Sequence, residues 1–175
     1  MAQIVSQDNL ILQRRKWKDN GQCVVFVSGC FDLLHPGHIR LLEQAHSHGD
    51  ILIVGVQSDA SVQSGRARLG GSEGSTGFFV GKFPGPITPG IERAEILAAL
   101  AAVDYVVEFN EPSPERLIGC LSPDIIVEGA SSRPGLPKTA EGPLAGESKA
   151  KVVTILLEPG YSTKLLIERI TQAGS

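Results

Sequence analysis

The chain has 175 residues, enough to bury one sizeable core, and its 42% hydrophobic and 20% charged residues are the balance of an ordinary globular protein. A net charge of −3 argues against a nucleic-acid or membrane-surface role, which would favour a basic face, but leaves room for a small anionic ligand bound locally. Three widely spaced cysteines, Cys23, Cys30 and Cys120, make neither a disulfide frame nor a zinc knuckle and fit reduced thiols of the cytosol.

Residues 1–22 read as an extension ahead of the first strand. Its basic cluster, RRKWK, follows the apolar residues, the reverse of a secretory signal, and the chain is expected in the cytoplasm. Trp17 and that cluster are expected to cover a sheet edge and solvent. Five β-branched, apolar runs then read as buried strands: Val24–Ser28, Ile51–Gln57, Asp104–Phe109, Asp124–Val127 and Val152–Leu157. Helical spacing occupies Ile39–His48, Ile91–Ala101, Pro114–Cys120 and Lys164–Ile170. Thr88-Pro89 and Ser113-Pro114 each offer a hydroxyl N-cap followed by proline at the first helical position. The longest apolar run, ILIVGV, is too short to span a bilayer.

This alternation predicts a single domain, residues 1–175, of α/β class: a Rossmann-like parallel sheet of about five strands with helices on both faces. Ligands of such sheets bind at the carboxyl ends of the strands. Two stretches interrupt the pattern. Residues 64–85 form a glycine-rich insertion, and residues 130–147 are rich in Pro, Gly and Ser. The first contains VGKF, but no Ser or Thr follows the lysine and no strand leads directly into it, so a surface loop is the better reading than a phosphate loop.

After the first long strand comes SGCFDLLHPGH, which sets His35 and His38 around Pro36-Gly37. Three readings are open. With Cys30 and Asp32 the histidines would make a metal site, though no carboxylate-rich partner segment lies nearby. They would also serve structurally, one in a turn and one capping a helix. Or they would handle an anion: a helix starting near Gly37 points free N–H groups at the strand tips, and two imidazoles would add donors.

That stretch resembles the HxGH signature of nucleotidyltransferases of the cytidylyltransferase-like superfamily. PGYST, before the last helix, is similar to the same family's second signature, a turn bearing Ser and Thr. The resemblance runs from about Val24 to Ile170, through GDILIVGVQSDASV and ITPGIERAEILAALAAVDYVVEF, and is closest to the adenylyltransferase domain of ADP-heptose synthases. It implies transfer of a nucleotidyl group from a nucleoside triphosphate, with ATP favoured, to a heptose 1-phosphate-like sugar phosphate, releasing pyrophosphate. Mg²⁺ would arrive with the triphosphate.

The resemblance also implies roles. His35, His38 and Lys82 would act on the transferring phosphates, with Arg66 or Arg68 as substitutes for Lys82. Gly29, Cys30, Phe31 and Gly37 would let the backbone approach the nucleotide. Ser162 and Thr163 would hold phosphate oxygens, beside Gly160 and Tyr161, and Gly129 and Arg93 would complete the nucleotide side. Asp32 and Asp59 would help hold substrate or Mg²⁺, although Asp59 is equally suited to a helix N-cap. Cys30 need not be a nucleophile, since a reactive thiolate needs stabilising charge. A homodimer is the assembly common in the family.

The chain departs from the family after its fourth predicted strand, where it reads EGASSR. Glu128 stands where the heptose enzymes carry a basic residue, and Ala130 and Ser131 replace acidic ones, so the acceptor is less secure than the chemistry. A cytidylyltransferase for glycerol-3-phosphate or another alcohol phosphate is the alternative, and a nucleotide-binding protein without turnover is a third.

Overall fold

The computed structural model describes residues 1–68, 86–130, 149–157 and 159–173, the side chains of residues 65–68 excepted. Lys82 and Ser131 lie outside the described residues, as do residues 69–85 of the glycine-rich stretch and the side chains of Arg66 and Arg68.

Six strands form one wholly parallel sheet: β1 (Gln3–Ile4), β2 (Val24–Gly29), β3 (Ile51–Gln57), β4 (Tyr105–Phe109), β5 (Ile125–Ala130) and β6 (Lys151–Leu156). Their order across the sheet is β1-β4-β3-β2-β5-β6. From β2 the chain steps outward through β3 to β4, then returns to the other flank of β2 with β5 and β6. The crevice between β2 and β5 is therefore the topological switch point, where open α/β sheets bind ligands at the carboxyl ends of their strands.

The helices are α1 (Gln7–Asp19), α2 (Pro36–His46), α3 (Asp59–Arg68), α4 (Gly90–Ala98), α5 (Glu115–Leu121) and α6 (Thr163–Ala173). The pleat divides the core in two. Val25, Val27, Leu52 and Val54 turn to α2 and α4, against Leu41, Leu42, Ala94 and Leu97. Val24, Phe26, Ile51 and Ile53 turn to α1 and α5, against Leu10, Trp17, Leu117 and Leu121. Gly55 accommodates the larger side chains, since a Cβ there would lie 2.7 Å from the Phe26 ring.

The five expected strands are present, and β1 adds a sixth. Residues 1–22 contribute β1 and α1, which are integral to the sheet and its cover. Trp17 is buried against Tyr105, with ring centroids 4.8 Å apart. Arg14 is 8% exposed and its Nη2 donates to both Asp124 carboxylate oxygens at 3.1 Å. Ser64 to Arg68, expected in the glycine-rich excursion, continue α3 instead. The hydroxyl caps expected at Thr88 and Ser113 are displaced by one residue: Pro89 and Pro114 occupy the N-cap positions, without side-chain caps. Thr88 has other obligations, because its N–H donates to Asp32 and its carbonyl accepts from Arg93. Among the described residues, no helix is long and apolar enough to cross a membrane.

Candidate active site

β2 delivers the chain into a turn of unusual backbone. Phe31 (φ 53°) and Leu33 (φ 40°) both lie in the left-handed region, which residues bearing a Cβ rarely occupy. Such residues cost on the order of 1–3 kcal/mol each and persist where surroundings over-determine them. Asp32 supplies part of that constraint. Its Oδ1 accepts from the N–H groups of Leu33 (3.1 Å) and Thr88 (3.0 Å), and its Oδ2 from that of Ile87 (2.8 Å). Arg93 supplies more by donating from Nη1 to the carbonyl of Cys30.

The turn ends at His35, the N-cap of α2, with extended backbone (φ −138°, ψ 166°) and Pro36 opening the helix. The His35 carbonyl accepts from the N–H of His38 at 2.9 Å, and the His35 N–H donates to Nδ1 of His38 at 3.4 Å. With Nδ1 accepting, this network assigns the His38 proton to Nε2, which is left as a donor. The two rings stack at 3.8 Å and 21°, and the Phe31 ring meets His38 edge-on at 5.8 Å. Nδ1 of His35 is buried, with no hydrogen-bond partner among the described residues. Burial lowers the pKa of both imidazoles, and for His38, with His35 adding repulsion, to about 4. Near neutral pH both rings are uncharged, so each would meet an anion as an N–H donor rather than as a cation.

The second arm comes from the far end of the chain. Gly160 takes a φ of +88°, a conformation open to glycine, and turns the chain into α6. Ser162 Oγ accepts from the N–H of Leu165 at 3.1 Å and so caps that helix. Thr163 is 8% exposed, and its hydroxyl reaches the carbonyl of Asp32 at 3.5 Å. Tyr161 lies over α2, with the Arg40 guanidinium 5.2 Å from its ring centre and the His35 ring 6.4 Å away. A Cβ on Gly37 would stand 3.0 Å from the His35 ring and 3.1 Å from Tyr161 Cβ. HPGH and PGYST therefore meet at Gly37, at the carboxyl end of β2.

Other expected residues are placed as follows. Cys30 and Phe31 are 1% and 3% exposed, so neither side chain presents itself to a ligand. Burial raises the Cys30 thiol pKa despite the opposing charge of Arg93, which leaves an inert thiol. Arg93 is 1% exposed and bonded within the fold, to Thr88, Cys30 and Asp59. Asp59 begins α3 and pairs with Arg93 at 2.6 Å. Gly129 turns to the α2 face, where a Cβ would lie 3.1 Å from Leu157 and 3.4 Å from Leu41. By strand alternation its neighbour Glu128, half-buried, starts toward the opposite face. Arg40, in no recognised motif, follows Gly37 at i, i+3 spacing on α2 and so reaches the Tyr161 ring.

Among the described residues, no three His, Cys, Asp or Glu side chains converge as a metal site. Asp32 and Asp59 direct their carboxylates at backbone N–H groups and Arg93, not into an open coordination sphere. The described residues do not fit a resident cation.

Comparison with known proteins bears on this geometry. A family model described as Cytidylyltransferase-like matches residues 26–69, which include most of β2, the turn, and both histidines. Bifunctional protein HldE of Alkalilimnicola ehrlichii is 41% identical over 154 residues, covering 88% of this chain and 29% of that protein. The protein of the same name from Helicobacter pylori is 44% identical over 150 residues, covering 85% of this chain and 28% of the relative. Residues 26–69 thus match that family's model, and most of the chain is similar to part of these relatives. The chain spans less than a third of the length of these relatives. A solved structure, the lipopolysaccharide core biosynthesis protein of Thermoplasma volcanium, aligns with TM-score 0.55 and 26% identity over 79% of this chain and 98% of its own. Pantoate-beta-alanine ligase of Francisella tularensis shares the fold, with TM-score 0.59 and 14% identity over 90% of this chain and 68% of its own.

Proposed function

We propose that the chain transfers an adenylyl group from ATP to a sugar phosphate of the heptose 1-phosphate kind, with pyrophosphate leaving. The observation that carries this reading is the meeting of the two signatures at Gly37, which gathers imidazole N–H, hydroxyl and helix N-terminal groups at one strand end. The acceptor phosphate is already anionic near neutral pH, so attack on the α-phosphorus needs no strong base. Catalysis rests on alignment and on donors matched to charge spreading over the phosphoryl oxygens. His35 and His38 supply those donors, and the N–H groups opening α2 and α6 add positive potential. Ser162 and Thr163 hold the leaving phosphates. Mg²⁺ comes as the counter-ion of the triphosphate and supplies charge neutralisation when bound.

Replacing His35 or His38 with Ala should lower kcat by about 10²–10³, the scale for losing one preorganised transition-state donor. Near-normal turnover in both single variants would overturn the assignment. Pyrophosphate release from a panel of nucleoside triphosphates and heptose, hexose, glycerol and ethanolamine phosphates tests the substrate. Preference for CTP with a polyol phosphate would replace the adenylyl reading by a cytidylyl one. Nucleotide binding without release from any pair would leave a binding protein. Glu128 is proposed to disfavour acceptors carrying a second phosphate, since a like charge repels it. Glu128→Lys should relax that preference, and unchanged acceptor selectivity would remove Glu128 from the acceptor pocket.

A further inference from the structure

Arg93 is the largest fully buried side chain among the described residues, and the partners of its guanidinium are internal. It lies in the first turn of α4, where Nε donates to the carbonyl of Thr88 at 2.9 Å. Nη1 donates to the carbonyl of Cys30, and Nη2 to Asp59 Oδ1 at 2.6 Å. The other Asp59 oxygen accepts from the N–H of Gly90 at 3.3 Å. One planar fork thus binds the turn after β2, the entry to α4 and the start of α3 together. Lysine, a point charge on a flexible stem, has no such fork.

The turn it grips is the one with Phe31 and Leu33 in the left-handed region, two residues ahead of His35. A strained turn relaxes when a constraint is removed. Relaxation here would move the N-cap residue of α2 and, through the His35 N–H to His38 Nδ1 bond, the second ring as well. We propose that Arg93 is a positioning residue, which fixes the Cys30–Leu33 turn and thereby the two imidazoles, without touching substrate. Asp59 serves the same end as its anionic partner.

This inference rests on the reading of His35 and His38 as phosphate donors, and its test separates the two. In Arg93→Lys, compared at a temperature where circular dichroism shows both proteins folded, kcat should fall about 10-fold or more, within the effect of a misplaced catalytic group. The Kd for ATP should stay within about threefold, because a residue that does not touch the nucleotide contributes little to ground-state binding. Ring NMR signals of His35 and His38 in the ligand-free protein should shift, while those of His46 and His48 stay in place. Unmoved His35 and His38 signals, or a loss of ATP affinity that accounts for the whole fall in kcat/KM, would overturn the positioning role. Should His35→Ala and His38→Ala retain turnover, the donor reading fails while shifted ring signals in Arg93→Lys still establish the mechanical coupling. If Arg93→Lys does not fold, Asp59→Asn provides the measurement. The same two rings should shift and kcat should fall measurably, and unchanged rings would overturn the proposal.

Discussion

His35 and His38 face each other at 3.8 Å in a half-buried setting, and both consequences of that closeness can be measured. Their folded-state pKa values lie below the ordinary 6.5, so between that value and the His38 value of about 4 the unfolded chain binds more protons than the folded one. Stability is therefore highest above this window and falls as pH drops through it. Urea unfolding at pH 7.5, 6 and 5 should show this loss, diminished in His38→Ala, and a flat profile in the parent would contradict the burial argument. Triphosphate bound at these rings, as proposed, should act in the opposite direction. Anionic oxygens favour the charged imidazole, so the NMR titration midpoint of His38 should rise by about one unit or more with nucleotide present. An unchanged midpoint would place the phosphates elsewhere. Gly37→Ala tests the same junction from the backbone side. Its methyl would meet the His35 ring and Tyr161 Cβ within 3.1 Å, so turnover should fall well beyond any change in thermal stability. Equal activity would mean that the two motifs need not meet as closely as they do.

Among the elements, α1 shows how a structural helix escapes a hydrophobic pattern. Its buried residues are Leu10, Arg14 and Trp17, with the spacing of a helix face, but an arginine sits in the middle of the stripe. Arg14 is acceptable there because Asp124 and the carbonyl of Ser122 receive its donors, and Asp124 also accepts from the N–H of Val24 at 2.8 Å. No reading of residues 7–19 alone reveals partners more than a hundred positions away. β1 has two residues and offers no period at all. α3 was hidden by its Ser, Gly and Arg content, while the long apolar strands β2 and β3 were legible because burial on both faces demands continuous β-branched runs. The site divides along the same line. The two signatures could be read from residue types, whereas the Arg93 fork and the Arg40–Tyr161 contact depend on loops brought together in three dimensions. Arg14→Met, which keeps much of the packing but removes the pair, should destabilise the protein by about 1–3 kcal/mol, a range that allows for the exposed side of Asp124. Chemical denaturation would check it, and a change below about 0.5 kcal/mol, typical of a surface substitution, would make α1 an accessory.

At the level of the whole molecule, the return of the chain to the far flank of β2 explains why the site lies where it does. β2, at the centre, brings HPGH to the switch point, and β6, at the edge, leads to PGYST. The first arm carries imidazoles, and the second carries hydroxyls and a helix N-terminus. The contact between Thr163 and Asp32 joins residues 131 positions apart. On a ribosome, where the chain emerges from its N-terminal end, β2, β3 and β4 can pair long before α6 exists. The central sheet and its Trp17 face are thus free to mature during synthesis, whereas the junction of the two motifs must wait until Thr163 has emerged. If both motifs hold phosphate as proposed, a nascent chain halted before Thr163 should show the fluorescence of a folded sheet yet discriminate poorly between triphosphate and buffer.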